Sequence, residues 1–288
     1  AASDVYKRQF LTILISVTSI GIIMDKYTLL GLAVTIPVAI MWAWGDAKRK
    51  RNKRDKAPLL NDTMRFVNGS HLVITVLNGG DYRLLAGHEY NKNNRVTAKG
   101  RCKRFWGIKD ISMGMEMIRS LVDGRHNEQF LQEFYNITEN VINLDNEQNW
   151  QTLFANISDK KLLIKMRVMH DAFLDFGNNS ILAWDLSRAN HLLADYYLAG
   201  WIDEQRYMKE VFDVTLKIQK SFSSWDEFNK SYLYGYLWWS GEDEQHDLKK
   251  LGCYHNRIMI INKQQYVANS PFKLDWNTPL KIEKSPYA

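Results

Sequence analysis

The stretch AWDLSRAN, residues 183–190, lies in a strongly apolar segment, and it indicates what kind of fold the chain adopts. Apolar residues recur through residues 181–199 at helical spacing, and Gly200 is a typical helix-ending residue. The segment therefore predicts an amphipathic helix that starts at Ser180. Asp185 and Arg188 stand three residues apart, which is about one helical turn. They form either a structural clamp or part of a catalytic site.

A helical wheel of residues 181–199 places Asp185 at the edge of the apolar face. Arg188 lies further round, and Trp184, His191 and Asp195 share the polar side with it. A part-buried carboxylate needs a donor, which Arg188 or another helix would supply. This clamp is the favoured interpretation. In the alternative, one wall of a cleft is formed by the catalytic candidates Asp185, Arg188, His191 and Asp195. An aspartate or the histidine is then a general base, and Arg188 holds an anion.

The remaining histidines and cysteines add little chemistry. His126 comes after Gly124 and is expected at the C-terminal end of a helix, where it can interact with the dipole; it is a less favoured catalytic candidate. Cys253 and His255 offer two metal ligands at most, so we expect no metal and no cofactor. The chain has no phosphate-binding glycine loop and no nucleophile elbow. Cys102 and Cys253 have no paired spacing, which favours a reducing compartment.

Helix signals dominate from residue 110 onward. Asp110 and Asp203 are predicted N-caps, and Ser224 with Glu227 forms a capping box. Further helices are predicted over residues 127–142 and over residues 158–176, the second starting at Ser158. Residues 70–87 suit either a strand or a helix, and residues 257–272 are expected to hold one short strand. The predicted fold class is mainly α, with at most a small β element.

Aromatic residues are concentrated in the helix predicted over residues 225–239. Five of them recur at spacings of three and four, which predicts a core-facing stripe: Trp225, Phe228, Tyr232, Tyr236 and Trp239. Tyr234 and Trp238 lie off this stripe. Together with Trp184 they are the candidates for a binding surface, because tyrosine and tryptophan are enriched where proteins contact partners.

The N-terminal part of the chain predicts a membrane anchor. Residues 1–9 resemble a non-native leader, and residues 10–24 and 27–44 are two uncharged, mostly apolar runs. Each run is slightly shorter than the roughly 20 residues that cross a bilayer. With two charged residues between them, the runs predict a transmembrane hairpin over residues 10–44.

Positive charge is concentrated directly after the second run. The net charge is +6, of which +5 lies in residues 46–56, whereas residues 57–288 are neutral. This balance argues against a nucleic-acid partner. The basic residues of the linker, residues 45–57, are predicted to lie at the membrane surface: Lys48, Arg49, Lys50, Arg51, Lys53, Arg54 and Lys56. A basic cluster after a span marks the cytoplasmic side, so the domain of residues 58–288 should be cytoplasmic.

A second basic run covers residues 92–109, with seven basic and no acidic residues. It either contacts anionic lipid beside the anchor, most directly through residues 101–109, or forms a solvated face.

Four phrases of the chain resemble one bacterial family. They are FWGIKDISMGMEMIRSLVDGRH (105–126), AWDLSRANHLLADYYLAGWIDEQ (183–205), SFSSWDEFNKSYLYGYLWW (221–239) and NSPFKLDWNTPL (269–280). Together they resemble the DUF1266 family, in the expected order and over most of residues 70–280. The resemblance implies a mostly helical bacterial domain, and it implies no reaction.

Two classes of function follow from these features. The favoured one is a membrane-anchored cytoplasmic interaction or regulatory module at the bacterial inner membrane, with the lipid bilayer and a protein as its partners. The alternative is a membrane-tethered hydrolase that uses the polar residues of the helix at 181–199. A weaker alternative is a toxin or immunity component of a bacterial competition system.

Overall fold

One helix runs through the middle of a helical domain, and the other helices are arranged around it. The computed structural model describes residues 58–139, 146–242 and 252–288. Within these ranges the chain forms eleven α-helices and no sheet. In chain order they are α1 (Asp62–Ser70), α2 (Leu72–Leu77), α3 (Lys92–Trp106), α4 (Ile111–Val122), α5 (Arg125–Thr138), α6 (Glu147–Ala155), α7 (Lys160–Phe176), α8 (Leu182–Ala199), α9 (Glu204–Ser221), α10 (Trp225–Ser240) and α11 (Tyr254–Gln264).

The central helix is α8, which packs against α3, α4, α9 and α10. Every residue of α8 except Arg188 and Tyr197 is buried. Gly200 ends the helix as predicted, with a φ of 73° that favours glycine. The expectation that α8 has an exposed polar side is wrong, because helices cover it all round. Its polar residues therefore lie inside the domain.

Three helix starts that the capping residues predicted agree with the capping hydrogen bonds of the structure. Asp110 and Asp203 each accept a hydrogen bond from the backbone N–H three residues later, as N-caps do. Ser224 accepts from the N–H of Glu227, and the carboxylate of Glu227 accepts from the N–H of Ser223. These three predicted caps are confirmed.

Other boundaries differ from the predictions. α7 begins at Lys160, two residues after Ser158, because Asp159 provides the capping side chain. α8 begins at Leu182 rather than at Ser180, after a 3-10 turn over Gly177–Asn179. α6 was not predicted.

The expected β element is absent from the described residues. The ambiguous stretch 70–87 forms α2 and a short 3-10 turn over Leu85–Gly87. The strand expected in residues 257–272 is wrong, because that stretch forms most of α11 instead. α11 packs against α10 and α2 and buries Ile261 and Gln264, whose spacing of three is helical.

The aromatic stripe of α10 forms core, with one exception. Trp225, Phe228, Tyr232 and Tyr236 are buried as predicted. Trp239 is 58% exposed, because it lies in the last turn of α10, where the packed face ends. A second apolar cluster joins α5, α6 and α7 around Phe130, Phe134 and other side chains.

The predicted anchor cannot be compared with the structure. The leader, the hairpin over residues 10–44 and the basic residues of the linker all lie outside the described residues. Among the described helices, none combines the length and the hydropathy needed to cross a bilayer.

Candidate functional site

Asp185 is fully buried, and its carboxylate closes the start of another helix. Oδ2 accepts hydrogen bonds from the backbone N–H groups of His126 at 2.9 Å and of Asn127 at 3.0 Å. Oδ1 accepts from the ring Nδ1 of His126 at 2.5 Å. The N-cap position of α5 is Gly124, which has no side chain to cap these donors. Asp185 therefore supplies from α8 the cap that the local sequence lacks, with a charge that suits the positive end of the helix dipole.

His126 connects Asp185 to Arg188. The Nη1 of Arg188 lies 3.4 Å from the Nε2 of His126. Arginine can only donate, so Nε2 accepts, and the proton of the neutral ring is on Nδ1, where it is donated to Asp185. Asp185 and Arg188 thus form no direct pair, and the donor to Asp185 comes from another helix. The prediction that His126 lies at the C-terminal end of a helix is wrong, because it is the second residue of α5. Its contact with Asp185 could not be read from spacing.

Arg188 is held mainly by aromatic rings. Its guanidinium carbon lies 4.4 Å from the ring centre of Trp106 and 4.8 Å from that of Trp184, distances typical of cation–π contacts. Burial lowers the pKa of Arg188 to about 10, although the nearby Asp185 opposes this shift. Within the described part of the chain, no carboxylate lies in salt-bridge range of Arg188.

Asp195 is the centre of a second polar cluster on α8. Arg101 of α3 donates to it through Nε, at 3.0 Å from Oδ2, and also through Nη2. Burial raises the pKa of the Asp195 carboxyl, and the hydrogen bonds from Arg101 work against that rise. The expectation that Arg101 is a surface residue near lipid is wrong, because this residue points inward and joins α3 to α8.

His191 lies next to this ion pair and to two further histidines. The Nδ2 of Asn78 lies 3.1 Å from the Nε2 of His191, and the ring centre of His71 is 6.0 Å away. Burial is the main cause that lowers the pKa of His191 and of His71 to about 3. Burial also lowers the pKa of His88. His71 and His191 are therefore neutral at physiological pH, and a ring nitrogen of each of the three histidines has no hydrogen-bond partner.

The three residues predicted for a binding surface are less exposed than expected. Trp184 is only 4% exposed. Tyr234 is half-buried and donates from its hydroxyl to Asp175 at 2.7 Å. Trp238 is also half-buried and donates from Nε1 to Glu133 at 3.0 Å. Both side chains therefore brace neighbouring helices, and their role in binding stays a prediction.

The described residues provide no metal centre at these positions. No group of three or more histidine, cysteine or acidic side chains in the described ranges is arranged to hold a metal. Cys102 and Cys253 are both buried free thiols. Two surface cavities, of about 290 and 310 Å³, lie elsewhere, one beside Trp225 and the other beside Asn61. Neither is lined by a candidate residue of α8.

Comparison with known proteins identifies a family but no activity. No curated protein and no solved structure matches the chain. A family model described as "Protein of unknown function (DUF1266)" matches residues 102–276, which is more than half of the chain. The match includes all of α8 and the capped start of α5, whereas Arg101, His71 and His88 of the second cluster precede it. The chain therefore belongs to the DUF1266 family.

Proposed function

We propose that the chain is a membrane-anchored interaction or regulatory module whose domain, residues 58–288, faces the cytoplasm at the bacterial inner membrane. The two apolar runs of residues 10–44 and the basic residues 46–56 support the anchor and its orientation. The bilayer and a protein are its partners, and large exposed side chains such as Phe105 and Trp239 provide apolar contact area.

The observation that carries this proposal is that the hydrogen-bonding capacity of the Asp185 carboxylate is already used within the protein. Both of its oxygens accept hydrogen bonds, and the side chain is inaccessible to solvent. A general base must reach the proton that it removes, directly or through one water. Asp185 instead holds the start of α5 against α8, which is the work of a structural clamp.

The other groups of the hydrolase alternative are also engaged in packing. Both ring nitrogens of His126 have partners, and Asp195 is held by Arg101. These contacts engage Asp185, His126 and Asp195 without a substrate, and they favour the module over the hydrolase.

A basic face of α3 supports contact with an anionic membrane. Lys92, Lys99 and Lys103 project from one side of the helix, all three are exposed, and α3 contains no acidic residue. Each basic group close to an anionic surface contributes roughly 1 kcal/mol of attraction, which salt screens. Such a face would hold the domain against the bilayer beside its anchor.

The orientation is tested with reporter fusions to the C-terminus of the full chain. A fluorescent protein that matures only in the cytoplasm should be bright in the membrane fraction, and alkaline phosphatase at the same position should be inactive. Active phosphatase would show that the C-terminus faces the periplasm, which contradicts the proposed topology. A fluorescent product in the soluble fraction would refute the anchor.

The lipid contact is tested with the fragment 58–288 and vesicles that contain phosphatidylglycerol. The double variant Lys99→Gln, Lys103→Gln should bind roughly thirtyfold more weakly, from about 1 kcal/mol for each lysine. The matched control is Lys209→Gln on α9, a lysine that pairs with Asp213. A role for α3 would be refuted if the affinity for the vesicles did not depend on salt concentration, or if the control substitution lowered it as much as the double variant does.

A further inference from the structure

Two arginines contact one aromatic group, and a third acts on one of them as a like charge, without a carboxylate in salt-bridge range among the described residues. Arg188 lies on the face of Trp184, and the guanidinium carbon of Arg257 is 5.8 Å from the same ring centre. Arg257 also lies 3.8 Å above the ring of Tyr236 and donates to the hydroxyl of Tyr232. Arg125, which is exposed, and Arg257 both act on Arg188 as like charges.

Positive charge of this kind normally has a counter-ion. The carboxylate of Asp185 acts on Arg188, but its oxygens already accept from three donors of α5. Glu242 is engaged by the hydroxyl of Tyr236 and by the N–H of Tyr254. The three guanidinium groups are therefore only partly compensated within the described residues.

A buried donor without a partner lies in the same place. The Nε1 of Trp184 makes no hydrogen bond, although the residue is only 4% exposed. A tryptophan N–H can only donate, and leaving such a donor unpaired in the interior is unfavourable because it has lost its hydrogen bonds to water. Among the described residues Arg188 has one hydrogen bond, a long one of 3.4 Å to His126, so the other N–H groups of its guanidinium have no acceptor there. Both residues thus need an acceptor.

We propose that the crevice formed by Arg188, Trp184 and His126, with Arg125 and Arg257 at its sides, binds a phosphate monoester group. Phosphate offers several acceptor oxygens and about two negative charges, which suits a guanidinium fork, an indole N–H and flanking arginines. The ligand is a soluble phosphorylated metabolite or the headgroup of a phosphatidic-acid-type lipid, which present the same chemistry. The site is for binding, and no reaction is assigned to it.

Partly or fully exposed side chains lie on one side of this group of residues. The side chain of His126 is 15% exposed, Arg125 and Trp239 are exposed, and Arg188 is half-buried. Trp239 lies 5.9 Å from Trp184, ring centre to ring centre, so an apolar surface flanks the charged one. The phosphate would contact the arginines, and the rest of the ligand would lie towards Trp239.

The test uses the full chain in detergent at constant ionic strength, with glycerol 3-phosphate and inorganic phosphate as soluble probes. Thermal unfolding should shift upwards with either probe, since a ligand of the folded state stabilises it. Arg188→Gln should weaken binding about tenfold or more, and Trp184→Phe, which keeps a ring but loses the N–H, should weaken it severalfold. The matched control is Arg206→Gln, an exposed arginine of α9 that pairs with Glu210.

A second pair of measurements separates the two sources of the group. Vesicles with phosphatidic acid are compared with vesicles of equal charge made with phosphatidylserine, a phosphodiester. If the chain prefers phosphatidic acid and does not respond to the soluble probes, the ligand is a lipid headgroup. If it responds to the soluble probes and shows no preference for phosphatidic acid, the ligand is a metabolite.

Three results would overturn the proposal. The first is no response to any of the probes. The second is an equal response in the Arg188→Gln variant and the Arg206→Gln control. The third is equal binding of both kinds of vesicle without a response to the soluble probes. If Arg188→Gln does not fold, Arg125→Gln replaces it, because this residue is exposed and its loss should still weaken binding severalfold.

Discussion

Replacing Asp185 with asparagine tests the clamp between α8 and α5 directly. Asparagine keeps the shape but has one acceptor oxygen where the carboxylate has two. If that oxygen stays with the N–H groups of His126 and Asn127, the new amide faces the Nδ1–H of His126, which loses its acceptor. The ring cannot simply change tautomer, because Nε2 would then present a proton to Arg188.

The expected cost follows from these contacts. A hydrogen bond to a charged group contributes about 1.5–3 kcal/mol. The interaction of the carboxylate with the start of α5 adds about 0.3–1 kcal/mol. Asp185→Asn should therefore lower the free energy of unfolding by about 2–4 kcal/mol, or roughly 4–16 °C in Tm for a domain of this size.

The assay is chemical and thermal unfolding of residues 58–288, which form one compact unit. Asp203→Asn is the matched control, because Asp203 is an exposed N-cap of α9 and asparagine caps a helix as well as aspartate does. The control should change stability by less than about 0.5 kcal/mol. An Asp185→Asn domain as stable as the control would refute the clamp, and loss of the cellular phenotype in such a stable variant would favour the hydrolase.

Two further predictions concern the buried histidines and the packing of α8. The pKa of His71 and His191 is about 3 in the folded state and about 6.5 when unfolded, so below pH 6.5 the unfolded chain binds more protons and stability falls. Between pH 7.5 and 5.5 these two residues should remove roughly 3 kcal/mol, and urea midpoints that do not change over this range would contradict this. Gly235→Ala should destabilise the domain by about 1–3 kcal/mol, because the added Cβ would lie 2.3 Å from the Cβ of Trp184. Gly100→Ala, in α3 with open space around it, should stabilise the domain by about 0.5–1 kcal/mol, and equal effects of the two changes on Tm would refute the close packing.

The helical fold and several helix starts could be predicted from the sequence because their causes are local. A capping residue such as Asp110 or Ser224 acts on donors within the next turn, and the glycine that ends α8 acts through its own backbone. The family could likewise be predicted from the order of a few phrases. The strand expected near the C-terminus failed because a short apolar run suits both a strand and a helix, and packing against α10 and α2 decided between them.

The sequence by itself determined that α8 carries Asp185, Arg188 and Asp195 at helical spacing, and that a buried carboxylate there needs a donor. Only the tertiary structure decided which donors these are. His126 is 59 residues from Asp185 along the chain, and Arg101 is 94 residues from Asp195. The spacing of apolar residues shows which face of a single helix is apolar, and it assumes that the other face meets solvent. Which helices cover that other face depends on how segments distant in the sequence pack together.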